Sequence, residues 1–439
     1  MKIAILTLGC KVNKYESDAL EYELNLKGFK TTDCLEPADI YVINTCAVTQ
    51  EAEKKSRQMI ARCRKFNKHA KIFICGCASQ HNQKQFLDKY VEYVCGTAGK
   101  YKIAKIIEEI SKNHNLELKN HENIDELPLI YEDGMHAKQN RTRAYIKIQD
   151  GCNNFCSYCI IPYLRGRSRS RPIFSIINEV ASLDENIKEI VLTGINVTDY
   201  KIDGEKKLGV VLEELNTMGK RLRLGSVEDT IIDEEFVKKL ASLENFCPHF
   251  HLSLQSGSAS VLKRMNRHYT PQQFANSVKL IRKYFANAGI TTDVIVGFPE
   301  ETEEEFEETY KFIKEVGFSQ LHIFQYSQRE GTVASKIYKD MDSHIKQERS
   351  EKLEQLNKKL KLEFLHKNKG QVNKMGNVLI EEKIDDHYVG YTENYIRCYV
   401  KSKEDITGKI VNVKIRKPFK DGAEAKIIKK NPISFRIIT

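Results

Sequence analysis

The stretch Gly151-Cys152-Asn153-Asn154-Phe155-Cys156-Ser157-Tyr158-Cys159 constrains this chain most, because three cysteines fall within eight residues, spaced C-x3-C-x2-C. The alternating run Ala144-Tyr145-Ile146-Lys147-Ile148 before it reads as a β-strand, so the thiols sit in the loop at its C-terminal end. Thiolates this close cannot pair usefully as disulfides, but they can converge on a soft metal centre. Structural zinc takes four protein ligands, and no fourth Cys or His follows at short range. Three thiolates match an iron–sulfur cube that leaves one iron open. An incomplete zinc site with a distant ligand is the alternative.

A length of 439 residues implies two to four domains, each with its own core. No apolar run approaches the roughly 20 residues of a membrane helix. The start, Met1-Lys2-Ile3-Ala4-Ile5-Leu6-Thr7-Leu8-Gly9, is too short and strand-like for a signal peptide. Twelve cysteines in such a chain argue for metal or redox chemistry in a reducing cytoplasm rather than a disulfide framework.

Residues 1–112 carry three strand-like runs, Lys2–Leu8, Asp39–Asn44 and Lys71–Ile74, each leading into a cysteine. Helical patterns separate them, which indicates an α/β domain with a parallel sheet. Parallel strands end on one edge, so Cys10, Cys46 and Cys77 should meet there, where ligands of such sheets bind. This is a second three-thiol set, assembled by the fold. Cys75 is the alternative to Cys77, which the loop string Gly76-Cys77-Ala78 favours. Cys34, Cys63, Cys95, Cys247 and Cys398 read as buried structural thiols.

Residues 113–139 are polar and read as a linker with one short strand around Leu127–Tyr131. From 140 to 343, five further β-rich runs follow the strand before the cysteine loop: Glu189–Leu192, Arg221–Gly225, His249–Leu254, Thr291–Val296 and Leu321–Tyr326. Capping boxes at Thr270-Pro271-Gln272-Gln273 and at Thr302 with Glu305 open two of the intervening helices. Six β/α units make a (β/α)6 open barrel whose site lies at the C-terminal strand ends. Thr193-Gly194-Ile195-Asn196, Ser226-Val227-Glu228, Gln255-Ser256-Gly257 and Gly297-Phe298-Pro299 fall at those ends, so they suggest a cofactor pocket. Arg165, Arg167, Arg169 and Arg171 alternate; in an extended segment they would share one side, suited to a phosphate backbone, with a solvated loop as the alternative.

Residues 344–367 form a charged helix with Leu353, Leu356, Leu360 and Phe364 at helical spacing. Residues 368–439 hold short alternating runs that read as a small all-β barrel. They also carry 15 basic against 9 acidic side chains, a net +6 of the chain's +10, which suggests a nucleic-acid partner. Tyr388, Tyr391, Tyr395 and Phe419 are either stacking platforms for bases or barrel core.

A C-x3-C-x2-C loop after the first strand of a six-unit barrel resembles the radical S-adenosylmethionine enzymes. The flanking strings narrow the resemblance to the methylthiotransferases over essentially the whole chain. Leu8-Gly9-Cys10-Lys11-Val12-Asn13, Asn44-Thr45-Cys46-Ala47-Val48 and Gly76-Cys77-Ala78-Ser79-Gln80 are similar to that family's N-terminal cluster domain. Cys159-Ile160-Ile161-Pro162-Tyr163, Leu252-Ser253-Leu254-Gln255-Ser256-Gly257-Ser258 and Val296-Gly297-Phe298-Pro299 are similar to its barrel, and the basic tail to its TRAM domain. The resemblance implies two [4Fe–4S] clusters, one on Cys152, Cys156 and Cys159 and one on Cys10, Cys46 and Cys77, with S-adenosylmethionine as co-substrate. It implies that the first set generates a radical and the second presents the sulfur. Tyr158, Gly194 and Gln255 stand at the barrel mouth as the S-adenosylmethionine-binding candidates.

Members of that family modify a tRNA adenosine bearing a threonylcarbamoyl or an isopentenyl group, or an aspartate of a ribosomal protein. The string Leu-Gly-Cys-Lys-Val-Asn resembles the threonylcarbamoyladenosine branch, and Cys-Ile-Ile-Pro-Tyr with its following Arg-Gly-Arg agrees. The expected partner is therefore tRNA, at the adenosine next to the anticodon. The rival readings are the same chemistry on isopentenyladenosine and a non-catalytic iron–sulfur RNA-binding protein.

Overall fold

The structure, a computed structural model, describes residues 1–87, 89–112, 120–121, 127, 131, 137, 142–370 and 376–428. Strands β1 (Lys2–Thr7), β2 (Lys30–Thr32), β3 (Ile40–Thr45), β4 (Lys71–Gly76), β5 (Val91–Val94) and β6 (Asn120–His121) form one sheet in the order β2-β1-β3-β4-β5-β6. Every pairing in it is parallel. Ile40 to Ile43 are buried without alternation, as a sheet covered on both faces requires. Helices α1 (Lys11–Leu26) and α4 (Lys102–Lys112) cover one face through Leu20, Leu24, Ile103 and Ile107. Helix α2 (Gln50–Phe66) covers the other through Met59, Ile60 and Cys63, and the short α3 (Cys77–His81) follows β4.

The linker expectation needs correction at one point. Asn120 and His121 pair with Tyr93 and Val94, so this part of the polar stretch extends the sheet. The strand expected at Leu127–Tyr131 falls mostly outside the described residues; its two described ends are not in a strand.

The central barrel strands are β7 (Arg143–Lys147), β8 (Glu189–Thr193), β9 (Arg221–Leu224), β10 (His249–Gln255), β11 (Gly289–Val296) and β12 (Gln320–Gln325). They run parallel in chain order, in two sections: β7-β8-β9, and Ser226–Val227 with β10-β11-β12. Among the described residues β12 does not pair with β7, so the barrel is open. Both capping boxes form, at Thr270 ahead of the helix Pro271–Tyr284 and at Thr302 ahead of Glu303–Val316. Ala144, Ile146, Ile190, Leu192, Phe250, Leu252, Ile290 and Val294 face these outer helices in one core. The alternate positions, among them Arg143, Glu189, Arg223, His249, His251, Asp293 and His322, therefore turn to the lumen.

The helix Ser343–Lys367 covers the open edge. Asn357 serves both backbone groups of Leu321 there, accepting from its N–H at 2.9 Å and donating to its carbonyl at 3.2 Å. The tail then closes a five-stranded barrel from β13 (Asn377–Ile384), β14 (His387–Thr392), β15 (Arg397–Val400), β16 (Ile410–Phe419) and β17 (Gly422–Ile427). This small barrel seals the N-terminal end of the central one. Tyr395 stacks on His249 with ring centroids 4.3 Å apart, and Arg223 donates to the carbonyls of Glu393 at 2.8 Å and Thr392 at 3.2 Å. Tyr388 fills the small core, and Tyr391 and Tyr395 stack on each other at this joint, so these three rings serve packing. No described helix is long and apolar enough to cross a membrane.

Two other expectations fail. The four alternating arginines do not share a solvent-facing side: Arg165 ends the helix α5 (Ile161–Arg165), Arg165 and Arg171 are fully buried, and Arg167 is exposed. Buried carboxylates hold the two inner guanidiniums, which no phosphate reaches. Cys34 is exposed rather than buried, because it lies in the turn after the edge strand β2.

Gly390 tests closure of the small barrel. A Cβ there would lie 1.9 Å from the carbonyl oxygen of Leu379 on the neighbouring strand. Gly390→Ala should cost about 1–3 kcal/mol as β13 and β14 are forced apart, measured as a lowered unfolding transition of the full chain.

Candidate functional site

The order β2-β1-β3 reverses direction at β1, and this switch point is where an open parallel sheet leaves a crevice at its C-terminal edge. Cys10 follows β1, Cys46 follows β3 and Cys77 follows β4, so the topology delivers all three to that crevice. Their charges act on one another, Cys77 and Cys10 on Cys46, and Cys10 on Cys77. Gly9 has φ +99°, and a Cβ on it would lie 2.7 Å from Cys46 Sγ, so only glycine lets the first loop approach the second. Asn13 ties the two loops by donating to the carbonyls of Leu8 at 2.8 Å and Thr45 at 2.9 Å. Cys75 is a strand residue on the opposite face, buried with Cys95, and stands apart from the set.

Cys152, Cys156 and Cys159 lie in the loop between β7 and α5 and likewise act on one another. Burial pushes the Cys46 and Cys152 thiols up to about 11 and Cys159 to about 12. Each set is offset by a buried guanidinium from elsewhere in the chain. Arg267 donates to Cys156 Sγ at 3.3 Å, while Glu228 accepts from Arg267 at 2.8 Å. The charges of Arg165 and Lys100 act on Cys77 and oppose the upward push of its burial.

An ionic joint ties together the elements that carry the two sets. Arg165 donates to Glu16 at 3.0 Å, Asp150 at 3.1 Å and Asn13 Oδ1 at 2.7 Å. Lys147 reaches Glu16 at 2.7 Å and Asp150 at 2.6 Å, and Lys100 also pairs with Glu16. Burial alone would push the Glu16 carboxyl up, but Arg165, Lys100 and Lys147 outweigh it and hold it well below the usual range. Ile160 and Leu164, just after the second cysteine set, pack into the core of the first domain.

Gly194 and Gln255 end up on the same barrel edge as the cysteine loop, at the ends of β8 and β10. Gln255 adopts φ +66°, and Gly194 packs so tightly that a Cβ would meet Gln149 Oε1 at 2.9 Å. Tyr158 packs with Phe298 and Tyr326 beside the loop. Sequence reasoning missed Glu16, Lys100, Asp150 and Arg267, and also Asp229, whose carboxyl burial pushes up to about 6. No local pattern marks them, because the partners lie as far apart as Glu16 and Arg165, 149 positions.

A barrel mouth with three thiols, set against a parallel-sheet edge with three more, defines the class of two-domain thiolate proteins built on the radical S-adenosylmethionine barrel. Comparison with known proteins agrees. Residues 146–313 match the model of the Radical SAM superfamily, and residues 2–96 match the Uncharacterized protein family UPF0004. The chain is 39% identical over 437 residues to the threonylcarbamoyladenosine tRNA methylthiotransferase MtaB of Bacillus subtilis, covering 97% of both chains. It is 37% identical to the protein of the same name from Aquifex aeolicus, over 94% of this chain and all of the other. A tRNA-2-methylthio-N(6)-dimethylallyladenosine synthase of Thermodesulfovibrio yellowstonii is 35% identical, over 97% and 98% of the two chains. Among solved structures, the radical S-adenosylmethionine methyltransferase TsrM from Kitasatospora setae shares the fold, with a TM-score of 0.57 at 15% identity over 76% of this chain and 77% of that one. The chain belongs to the radical S-adenosylmethionine methylthiotransferase family.

A second clamp makes this joint sensitive to pH. Glu53 on α2 pairs with Arg329 of the barrel, with His81 at 3.3 Å and with Arg57 at 3.4 Å. Burial opposes ionisation of Glu53, but His81 and Arg329 bring it from 4.5 down to about 2. The Glu53 hydrogen bond raises His81 above 6.5. Stability from Glu53 is present above pH 4.5 and lost as pH falls toward 2; that from His81 is present below pH 6.5 and lost as pH rises through its raised value. The melting-temperature gap between the native chain and His81→Gln should therefore be widest between pH 4.5 and 6.5 and shrink at alkaline pH. A gap that stays flat on titration would show that the pair does not clamp the joint.

Proposed function

We propose that this chain is a cytoplasmic tRNA methylthiotransferase that converts N6-threonylcarbamoyladenosine next to the anticodon into its 2-methylthio derivative. The observation that carries this reading is the pair of three-thiol sets on elements tied together by one buried ionic joint. Its substrate rests on full-length similarity to threonylcarbamoyladenosine methylthiotransferases at 39% and 37% identity.

Cys152, Cys156 and Cys159 would hold one [4Fe–4S] cluster and Cys10, Cys46 and Cys77 a second, with Tyr158, Gly194 and Gln255 beside S-adenosylmethionine. The donor chemistry fits: each set offers three free thiols and a cationic neighbour, which is what a soft, anionic cluster with one open iron takes. Among the described residues no three His, Cys, Asp or Glu are set to hold a single metal ion. Once bound, these groups supply one-electron cleavage of S-adenosylmethionine and the sulfur for transfer.

The residues of the chain do the positioning. Three cations, Lys100, Lys147 and Arg165, face two carboxylates, Glu16 and Asp150, so the joint keeps an excess positive charge beside Cys77. That charge stabilises a thiolate and the anionic group it would hold. Arg267 does the same for Cys156 and also stacks over Tyr269, 4.9 Å from its ring centre, which fixes its direction. The basic tail, read as a TRAM-like module, supplies charge for the tRNA backbone.

Nucleoside mass spectrometry of tRNA from a deletion strain tests the substrate: 2-methylthio-N6-threonylcarbamoyladenosine should disappear, and its persistence would sink the assignment. Anaerobic reconstitution should yield about eight irons per chain. Cys77→Ala should halve that iron and abolish thiolation while sparing some S-adenosylmethionine cleavage. Loss of both activities together would count against separate roles for the two sets.

A further inference from the structure

The loop that carries Cys152, Cys156 and Cys159 is pinned at three points, and one residue in it is held against its preference. Asn153 Oδ1 accepts from the backbone N–H of Ser168 at 3.2 Å, Asn154 donates to Glu228 at 2.7 Å, and Asn266 donates to the carbonyl of Phe155 at 3.0 Å. Between these ties Phe155 takes φ +47°, a left-handed conformation that a bulky side chain rarely adopts. Glycine or asparagine would follow the same path with less strain. An aromatic ring there points to a role beyond the course of the loop.

The ring has two neighbours that the fold does not absorb. Tyr163 of α5 meets it edge-on, with ring centroids 5.5 Å apart at 83°, and is itself 41% exposed. The Arg167 guanidinium lies over the ring, 4.5 Å from its centre. Of the alternating arginines, Arg165 and Arg169 pair with Asp150 and Arg171 pairs with Glu179. Arg167 is exposed, and among the described residues its side chain makes no hydrogen bond or ion pair; nor does the Tyr163 hydroxyl. A guanidinium is a flat cation that stacks on aromatic faces. With one face on Phe155 and no carboxylate beside it, this one is left available to a second π-system.

We propose that Phe155, Arg167 and Tyr163 form a stacking platform for an unpaired nucleobase of the anticodon loop, a neighbour of the modified adenosine. The inference rests on the tRNA reading above and deepens it by naming a surface that holds the loop. Bases of single-stranded RNA stack on guanidinium planes and on aromatic faces alike. A phosphate would use the charge of Arg167 but not the rings, and an apolar protein segment would leave the guanidinium without a partner. The platform includes the loop of the first thiol set, so a base stacked on it is fixed relative to Cys152, Cys156 and Cys159. The adenosine beside it along the strand is then presented at the barrel mouth.

Binding by the reconstituted enzyme is measured to an anticodon stem-loop bearing threonylcarbamoyladenosine and to versions with an abasic site on either side of it. Native enzyme, Arg167→Ala, Arg167→Lys and Tyr163→Leu are compared; both positions are exposed, so the variants keep the core. For the native enzyme, one of the two abasic loops should bind about fivefold to a hundredfold more weakly, the range of one stacked base. Arg167→Ala should lose a similar factor on the intact loop and no longer distinguish that abasic version. Arg167→Lys keeps the charge without the plane and should behave like the alanine variant, while Tyr163→Leu should show part of the same loss. Factors that multiply when variant and abasic site are combined would mean independent contacts and overturn the proposal. Recovery of binding in Arg167→Lys would make the residue a phosphate contact and overturn it as well. Reduced iron in the variants with abasic discrimination retained would make the three residues a cover for the cysteine loop, again against it. Native enzyme that binds with the expected pattern but does not thiolate the threonylcarbamoyl base would remove the substrate reading alone, because the platform holds a neighbouring base.

Discussion

Five charged side chains buried between the first domain and the barrel hold the two thiol sets in one geometry. Taking Glu16, Asp150, Lys100, Lys147 and Arg165 out of water is expensive, and only dense mutual pairing offsets the cost. That is why each carboxylate here meets at least two cations and why Arg165 spends its guanidinium on Glu16, Asp150 and Asn13 together. A pair of apolar faces would join the domains at least as strongly, but with freedom to slide. Directional bonds between fixed charges do not slide, and a reaction shared between two centres needs that registry. The joint also places its excess positive charge where buried thiols would otherwise resist ionisation.

The barrel is closed at one end and open at the other by residues of quite different kinds. The tail's small barrel plugs the N-terminal end with Tyr395 against His249 and with backbone carbonyls accepting from Arg223. The C-terminal end meets the first domain and its cysteines. The lumen therefore opens on the side of the thiol sets, since the small barrel seals the other end and the helix Ser343–Lys367 covers the open edge. Tyr391 and Tyr395 are occupied by this plugging, Tyr388 by the small core, and Phe419 packs on His387 and Tyr399.

Identical residue types meet different fates by position. Cys63 and Cys398 are buried where desolvation dominates, and each thiol is pushed up to about 12. Cys77 is as buried and its thiol is also raised by desolvation, but Arg165 and Lys100 oppose that shift. The difference is the neighbouring charge, supplied by Lys100 and Arg165 from other parts of the chain.

Much of this was written in local pattern. The C-x3-C-x2-C spacing fixes three thiols in one loop whatever surrounds it, the capping strings start their helices unaided, and period-two alternation marks the strands, because each of these depends on neighbours within a few residues. Strand-end placement also brought Cys10, Cys46 and Cys77 together on paper, since a parallel sheet has one C-terminal edge. The arginine run misled for the complementary reason. Alternation gives a side only to an extended segment, and Arg165 ends a helix whose guanidinium is drawn inward by Glu16, 149 positions earlier in the chain. Which charges are paired and which cysteines are offset by cations were decided by tertiary structure, because electrostatic balance is a property of distances that sequence separation does not encode.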